Sequence, residues 1–168
     1  MREVQEMLLE GANGRKVMKL AAAIAVVALA ATAMGADETG GWGSDFGAAM
    51  KAAGESKRLI LADFTGSDWC QWCIKLDSEV FKKEEFKKFA GENLVLFVAD
   101  FPKEKQLPKE TADQNKKLAV KYGVQGFPTV LLLDAEGKEV ARTGYRRGGA
   151  EAYVAHLKSL MEKAKAQK

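Results

Sequence analysis

Trp69-Cys70-Gln71-Trp72-Cys73 holds both cysteines of this chain, two residues apart. The run before it, Leu59-Ile60-Leu61-Ala62-Asp63-Phe64, is short and almost continuously apolar, as suits a central strand covered on both faces. Thr65-Gly66-Ser67-Asp68 reads as a turn. Beyond it, Cys73, Leu76 and Val80 share one helical face, with Ser67 or Asp68 as the expected N-cap. A Cys-x-x-Cys pair at a strand-to-helix junction suits dithiol redox chemistry. Helix N–H groups and the helix dipole stabilise a thiolate at the first sulfur. The second sulfur is near enough to attack a mixed disulfide formed by the first. With no third cysteine, the two pair with each other, bind something together or stay reduced. A purely structural bridge would close a four-residue ring and constrain the unfolded chain little.

Residues 20–36 carry no charge; Arg15, Lys16 and Lys19 precede them, and Asp37 and Glu38 follow. A positive region, an apolar stretch and a small-residue exit are the anatomy of a secretory signal, with cleavage fitting after Ala33, Gly35 or Ala36. The competing reading is an uncleaved membrane anchor. A spanning helix needs ~20 apolar residues, and this run is shorter and rich in alanine. Ahead of it lie Glu3, Glu6 and Glu10, where acidic residues are unwelcome, and Met18-Lys19 would make a compact alternative start to Met1. Residues 1–36 are therefore read as an N-terminal extension and signal segment, and residues 37–168 as one domain. Export to the periplasm, or another extracytoplasmic compartment, puts the cysteines where disulfides persist.

The chain has 26 basic and 23 acidic side chains and a net charge of +3, which gives no case for a nucleic-acid partner. Lysine pairs at 82–83, 87–88 and 116–117 are interleaved with acidic and apolar residues and read as solvated helix faces. Residues 42–53 have helical spacing, with Gly54 as a stop. The charged stretch from Lys82, with Phe86 and Phe89, continues the helix of Cys73 or starts another, ending at Gly91. Residues 94–99 form a second buried strand, followed by a long Pro-containing loop. Thr111 and Gln114 have capping-box spacing and open a helix to Tyr122, closed by Gly123. Residues 129–133 make a third strand, 134–137 a tight turn and 138–143 the return strand of a hairpin. Tyr153, Leu157, Leu160, Met161 and Ala164 stripe a last helix. Strands joined by helices are expected to run parallel, with the hairpin adding an antiparallel edge. The expected fold is α/β, a mixed sheet of about four strands sandwiched by helices.

Three separated features make the chain resemble the thioredoxin-like family, and most closely its exported bacterial members with a Trp-Cys-x-Trp-Cys site. They are Leu61-Ala62-Asp63-Phe64 leading into Asp68-Trp69-Cys70-Gln71-Trp72-Cys73, then 122–129 with Gly126-Phe127-Pro128-Thr129, then the hairpin of residues 133–144. Thioredoxin itself has Gly-Pro where this chain has Gln71 and Trp72, and the loop before Trp69 is one residue longer.

The resemblance implies a thioredoxin fold and a thiol–disulfide oxidoreductase with Cys70 as the attacking thiolate and Cys73 as the resolving thiol. It implies that Pro128 is cis and lies against the dithiol, with Phe127 and the adjoining backbone meeting an extended client. It implies that Asp63 is a buried carboxyl behind Cys73, able to exchange a proton with it; a solvent-facing strand-end Asp is the other reading. Trp69 is expected beside the site, shaping the client surface. Trp72 is either an exposed docking patch or a packed core residue. His156 is expected at the surface or its boundary.

The expected activity is disulfide exchange with protein clients in the reductase or isomerase direction, because Asp63 and Asp68 bring negative charge toward the sulfurs. No cofactor and no metal are expected. Structural zinc wants four N or S ligands, and only His156 could join the cysteines. The expected partners are protein clients with disulfides or thiols and a membrane-bound electron donor or acceptor, the protein itself being a monomer. Two rival functions remain open, a non-catalytic adaptor or chaperone and a Cu(I)-handling dithiol.

Overall fold

The computed structural model describes residues 41–166. The signal segment, the two candidate starts and the proposed cleavage sites lie outside the described residues. Among the described residues, no helix is long and apolar enough to cross a membrane.

The chain runs β1 (Trp42–Gly43), α1 (Phe46–Ser56), β2 (Leu59–Thr65), α2 (Gln71–Leu76), a π-helical turn (Asp77–Phe81), α3 (Glu84–Asn93) and β3 (Leu94–Asp100). It continues through α4 (Lys109–Lys121), β4 (Thr129–Leu133), β5 (Glu139–Thr143) and α5 (Gly149–Ala166). The sheet order is β1-β3-β2-β4-β5. This is the expected α/β sandwich, with five strands rather than four.

β2 is central, and its alternation sorts side chains onto two cores. Ile60, Ala62 and Phe64 face α1 and α4, where Phe46, Phe97, Leu118, Tyr122 and Leu131 pack. Leu61 faces the opposite layer, with Phe86, Val130, Tyr153 and Leu157. Asp63 lies two residues beyond Leu61 and so points into that second layer, the one that receives Cys73.

Several expectations are corrected. Trp42 is not helical. It pairs with Leu96 in β1 and packs on Phe81 and Phe86. The helix begins later because Asp45 caps it, accepting from Ala48 N–H at 3.0 Å. It also runs past Gly54 to Ser56, where Lys57 takes the left-handed conformation at φ 55° and donates to Ala53 O. Gly91 likewise lies inside α3, which hands directly to β3 at Leu94.

The capping-box expectation fails. α4 opens at Lys109, after Pro108, without a side-chain cap. Gln114 instead accepts from Phe46 N–H and donates to Ser44 O, tying α4 to the start of α1.

The parallel rule holds for β2 and β3 but not for β4, which is antiparallel to β2. Tyr122, at the end of α4, donates its hydroxyl to Gly137 O in the β4–β5 turn, at the far end of the sheet. Residues 123–128 then carry the chain back, so Thr129 pairs with Phe64 at the end where β2 finishes. The strand is entered from the same end that the previous one left, which reverses its direction.

Candidate functional site: a dithiol over a buried carboxyl

Cys70 and Cys73 are joined as a disulfide, with Cα atoms 5.2 Å apart. Neither Ser67 nor Asp68 caps α2. Cys70 itself is the N-cap, its sulfur 3.3 Å from Cys73 N–H. Ser67 and Asp68 have another task. Ser67 binds both carboxylate oxygens of Asp100, through N–H at 2.9 Å and through Oγ at 2.6 Å. Asp68 accepts from the N–H groups of Lys103, Glu104 and Lys105, at distances from 2.8 to 3.3 Å. The turn before the dithiol is thus stapled to the loop after β3.

The Asp68 carboxyl is held below its ordinary range, first by the Lys103 N–H bond. A lowered value means its contribution is present above the ordinary carboxylate range and is lost as pH falls through the folded value. Asp68→Ala should speed amide hydrogen exchange at residues 103–105 by about tenfold or more at neutral pH. Unchanged exchange at those three amides would show that the loop is held by other groups.

Both sulfurs are close to the interior; Cys70 is 8 % exposed and Cys73 3 %. In the disulfide form the two sulfurs thus differ little in exposure. Behind Cys73 lies a cavity of about 380 Å³, whose walls include Asp63, Ser67, Ile74, Asp77 and Lys82. Asp63 is 6 % exposed, between Val98 and Val130 in register, and its Oδ1 has no hydrogen-bond partner among the described residues. Burial, then the charges of Asp77 and Asp100, push its carboxyl up to about 8. The solvent-facing alternative for Asp63 does not hold.

Asp77 was not singled out from the sequence. It stands four residues after Cys73, one turn along the same helical face, which is the signal that could have found it. Its carboxylate is paired with Lys82.

Phe127–Pro128 is a cis peptide, as the resemblance implied. Trp69 lies edge-on to Phe127 at 6.0 Å, and its indole N–H donates to Phe101 O at 2.8 Å. Lys103 Nζ sits 4.0 Å from the Trp69 ring centroid. Gly66 makes room for this ring, since a Cβ there would lie 2.6 Å from Trp69 Cε2. Trp72 is 51 % exposed, so it lies at the surface and not in the core. His156 is half-buried, its Nε2 3.0 Å from Thr143 Oγ1.

A disulfide at the start of a helix, a cis-proline loop and a mixed sheet of this order define a thioredoxin-fold thiol–disulfide oxidoreductase. A family model described as Thioredoxin-like domain matches residues 46–160, and the chain belongs to that family. It is 41% identical over 114 residues to disulfide bond reductase DsbH of Chlamydia pneumoniae, covering 68% of this chain and 69% of that protein. A solved structure of DsbH oxidoreductase superposes with a TM-score of 0.69 at 40% identity, covering 72% of this chain and 83% of the other. A thioredoxin from Thermus thermophilus shares the fold, with a TM-score of 0.56 at 18% identity over 74% of this chain and 89% of that one.

Proposed function

We propose that this chain is an exported reductase of protein disulfides, with Cys70 attacking and Cys73 resolving. The observation that carries the direction is the acidic lining of the cavity behind the dithiol, where Asp63 and Asp77 lie and Lys82 is paired with Asp77. Burial first, and then the charges of Asp77 and Asp100, raise the proton affinity of Asp63 there. Their field disfavours a thiolate. A couple is a strong oxidant when its reduced, thiolate-bearing form is stabilised, so this field favours a reducing couple. Lys75, the cation closest in sequence, is engaged with Glu79 at 3.6 Å. The similarity to a protein named as a disulfide bond reductase supports the same direction.

In the forward reaction, the Cys70 thiolate attacks one sulfur of a client disulfide and the other client sulfur leaves as a thiolate. Asp63, whose carboxyl sits at about 8, releases its proton to solvent, and its ionised form then takes the proton of Cys73 as Cys73 attacks Cys70 Sγ. The second client thiolate departs, and the Cys70–Cys73 disulfide remains. The two electrons now reside on the client, and a membrane-bound dithiol donor restores the couple. Phe127, Pro128, Trp69 and Trp72 flank the sulfurs and receive the client segment. Residues 20–36 would deliver the domain, residues 37–168, to the extracytoplasmic space.

The reduction potential tests this reading. A value near ~−270 mV, with turnover of protein disulfides, is expected of a reductant. A value near ~−120 mV would reverse the direction.

A further inference from the structure

Trp72 does not stand alone on the surface. Its ring lies 5.1 Å from that of Tyr145, which belongs to the loop between β5 and α5. The Tyr145 hydroxyl donates to Glu79 Oε2 at 2.8 Å, so the π-helical turn anchors that ring. Lys75 Nζ sits 5.6 Å from the Trp72 ring and 5.7 Å from the Tyr145 ring, and pairs with Glu79. The loop is also held close to the proline: a Cβ on Gly144, the residue before Tyr145, would lie 3.0 Å from Pro128 O. The site therefore has two aromatic walls. Trp69 on Phe127 forms one, and Trp72 on Tyr145 forms the other.

The second wall joins two segments that share no backbone bond, the dithiol helix and the β5–α5 loop. An exposed Trp on the first turn of a helix has open rotamers. Tyr145 on one flank and Lys75 against its ring leave it a defined surface beside Cys73. The geometry points to Tyr145 as a specificity-determining residue: it positions Trp72 as an apolar wall that favours client segments carrying a large apolar side chain next to their cysteine. The inference rests on the proposed exchange of Cys70 with protein disulfides.

The test uses the reduced protein and two short peptides whose single cysteine is joined to glutathione. One peptide has Phe beside the cysteine and the other has Ser. In each reaction Cys70 attacks the peptide sulfur and glutathione thiolate leaves. Cys73 then displaces the peptide thiol and closes the disulfide. The readout is the ratio of the two second-order rate constants, which a general loss of stability does not move.

The wild-type ratio should favour the Phe peptide by about fivefold, as expected for partial burial of one aromatic side chain. Tyr145→Ala should bring the ratio to about one, as should Trp72→Ala, with no further change in the double variant. Tyr145→Phe keeps the ring but loses Glu79 and should give an intermediate ratio, and it serves if the alanine variant does not fold. A wild-type ratio near one, or an unchanged ratio in Tyr145→Ala, overturns the inference. Failure of the wild-type protein to react with either peptide overturns the exchange reading itself, and this inference with it.

Discussion

Cys70→Ser should abolish protein-disulfide reduction, by on the order of 10³-fold or more, because the attacking thiolate forms the only covalent link to the client. A hydroxyl at the N-cap still accepts from Cys73 N–H, so the fold should hold. Cys73→Ser separates the two roles. Cys70 can still attack, but nothing displaces the client, and mixed disulfides should accumulate. Cys70→Ser should trap almost none. Non-reducing electrophoresis of each variant with a disulfide client reads this directly. A reversed trapping pattern would exchange the attacking and resolving labels.

Asp63→Asn should stabilise the oxidised protein at alkaline pH and slow client reduction at neutral pH. Burial holds the carboxyl up at about 8, against 3.8 ordinarily. The folded protein thus binds a proton that the unfolded chain has released, and stability falls as pH rises between those two values. Each tenfold in proton affinity is ~1.4 kcal/mol, so the full loss is on the order of 5 kcal/mol. The amide variant has no such loss. Its advantage in urea midpoint should be small at pH 4, grow as pH rises and level off only beyond about 8, as the wild-type carboxylate passes from half to fully ionised. A difference that stays constant with pH would show that the carboxyl is not buried in the way described. Catalytically, the amide cannot take the Cys73 proton, and reduction at neutral pH should fall by about tenfold or more. Equal rates from pH 6 to 9 would remove Asp63 from the mechanism.

Much of this was legible without coordinates, because it is written in short-range patterns. The apolar run of β2, the Cys-x-x-Cys spacing and the apolar stripe of α5 each depend on neighbours a few residues away. Their physics is that of local backbone geometry and periodic burial. Asp63 is different: the resemblance to the thioredoxin-like family placed it behind Cys73, while the local pattern alone left a solvent-facing strand end open. Where the local signals competed, they misled. Gln114 has capping-box spacing, yet it bonds to Ser44 and Phe46, some seventy residues away in the chain. Ser67 and Asp68 have the chemistry of N-caps, yet they hold Asp100 and residues 103–105.

By itself, then, the sequence determined the α/β class and the dithiol, and its resemblance to the family pointed to the carboxyl. Only the tertiary structure decided the reversed direction of β4 and the identity of the α2 cap. Only it brought Asp77 and Asp100 to bear on Asp63, and Tyr145 to Trp72. These contacts join segments separated by whole elements of the chain. The physical reason is that side-chain oxygens and aromatic rings have no periodicity that announces a distant partner; they bind whichever group the closed sheet brings within reach.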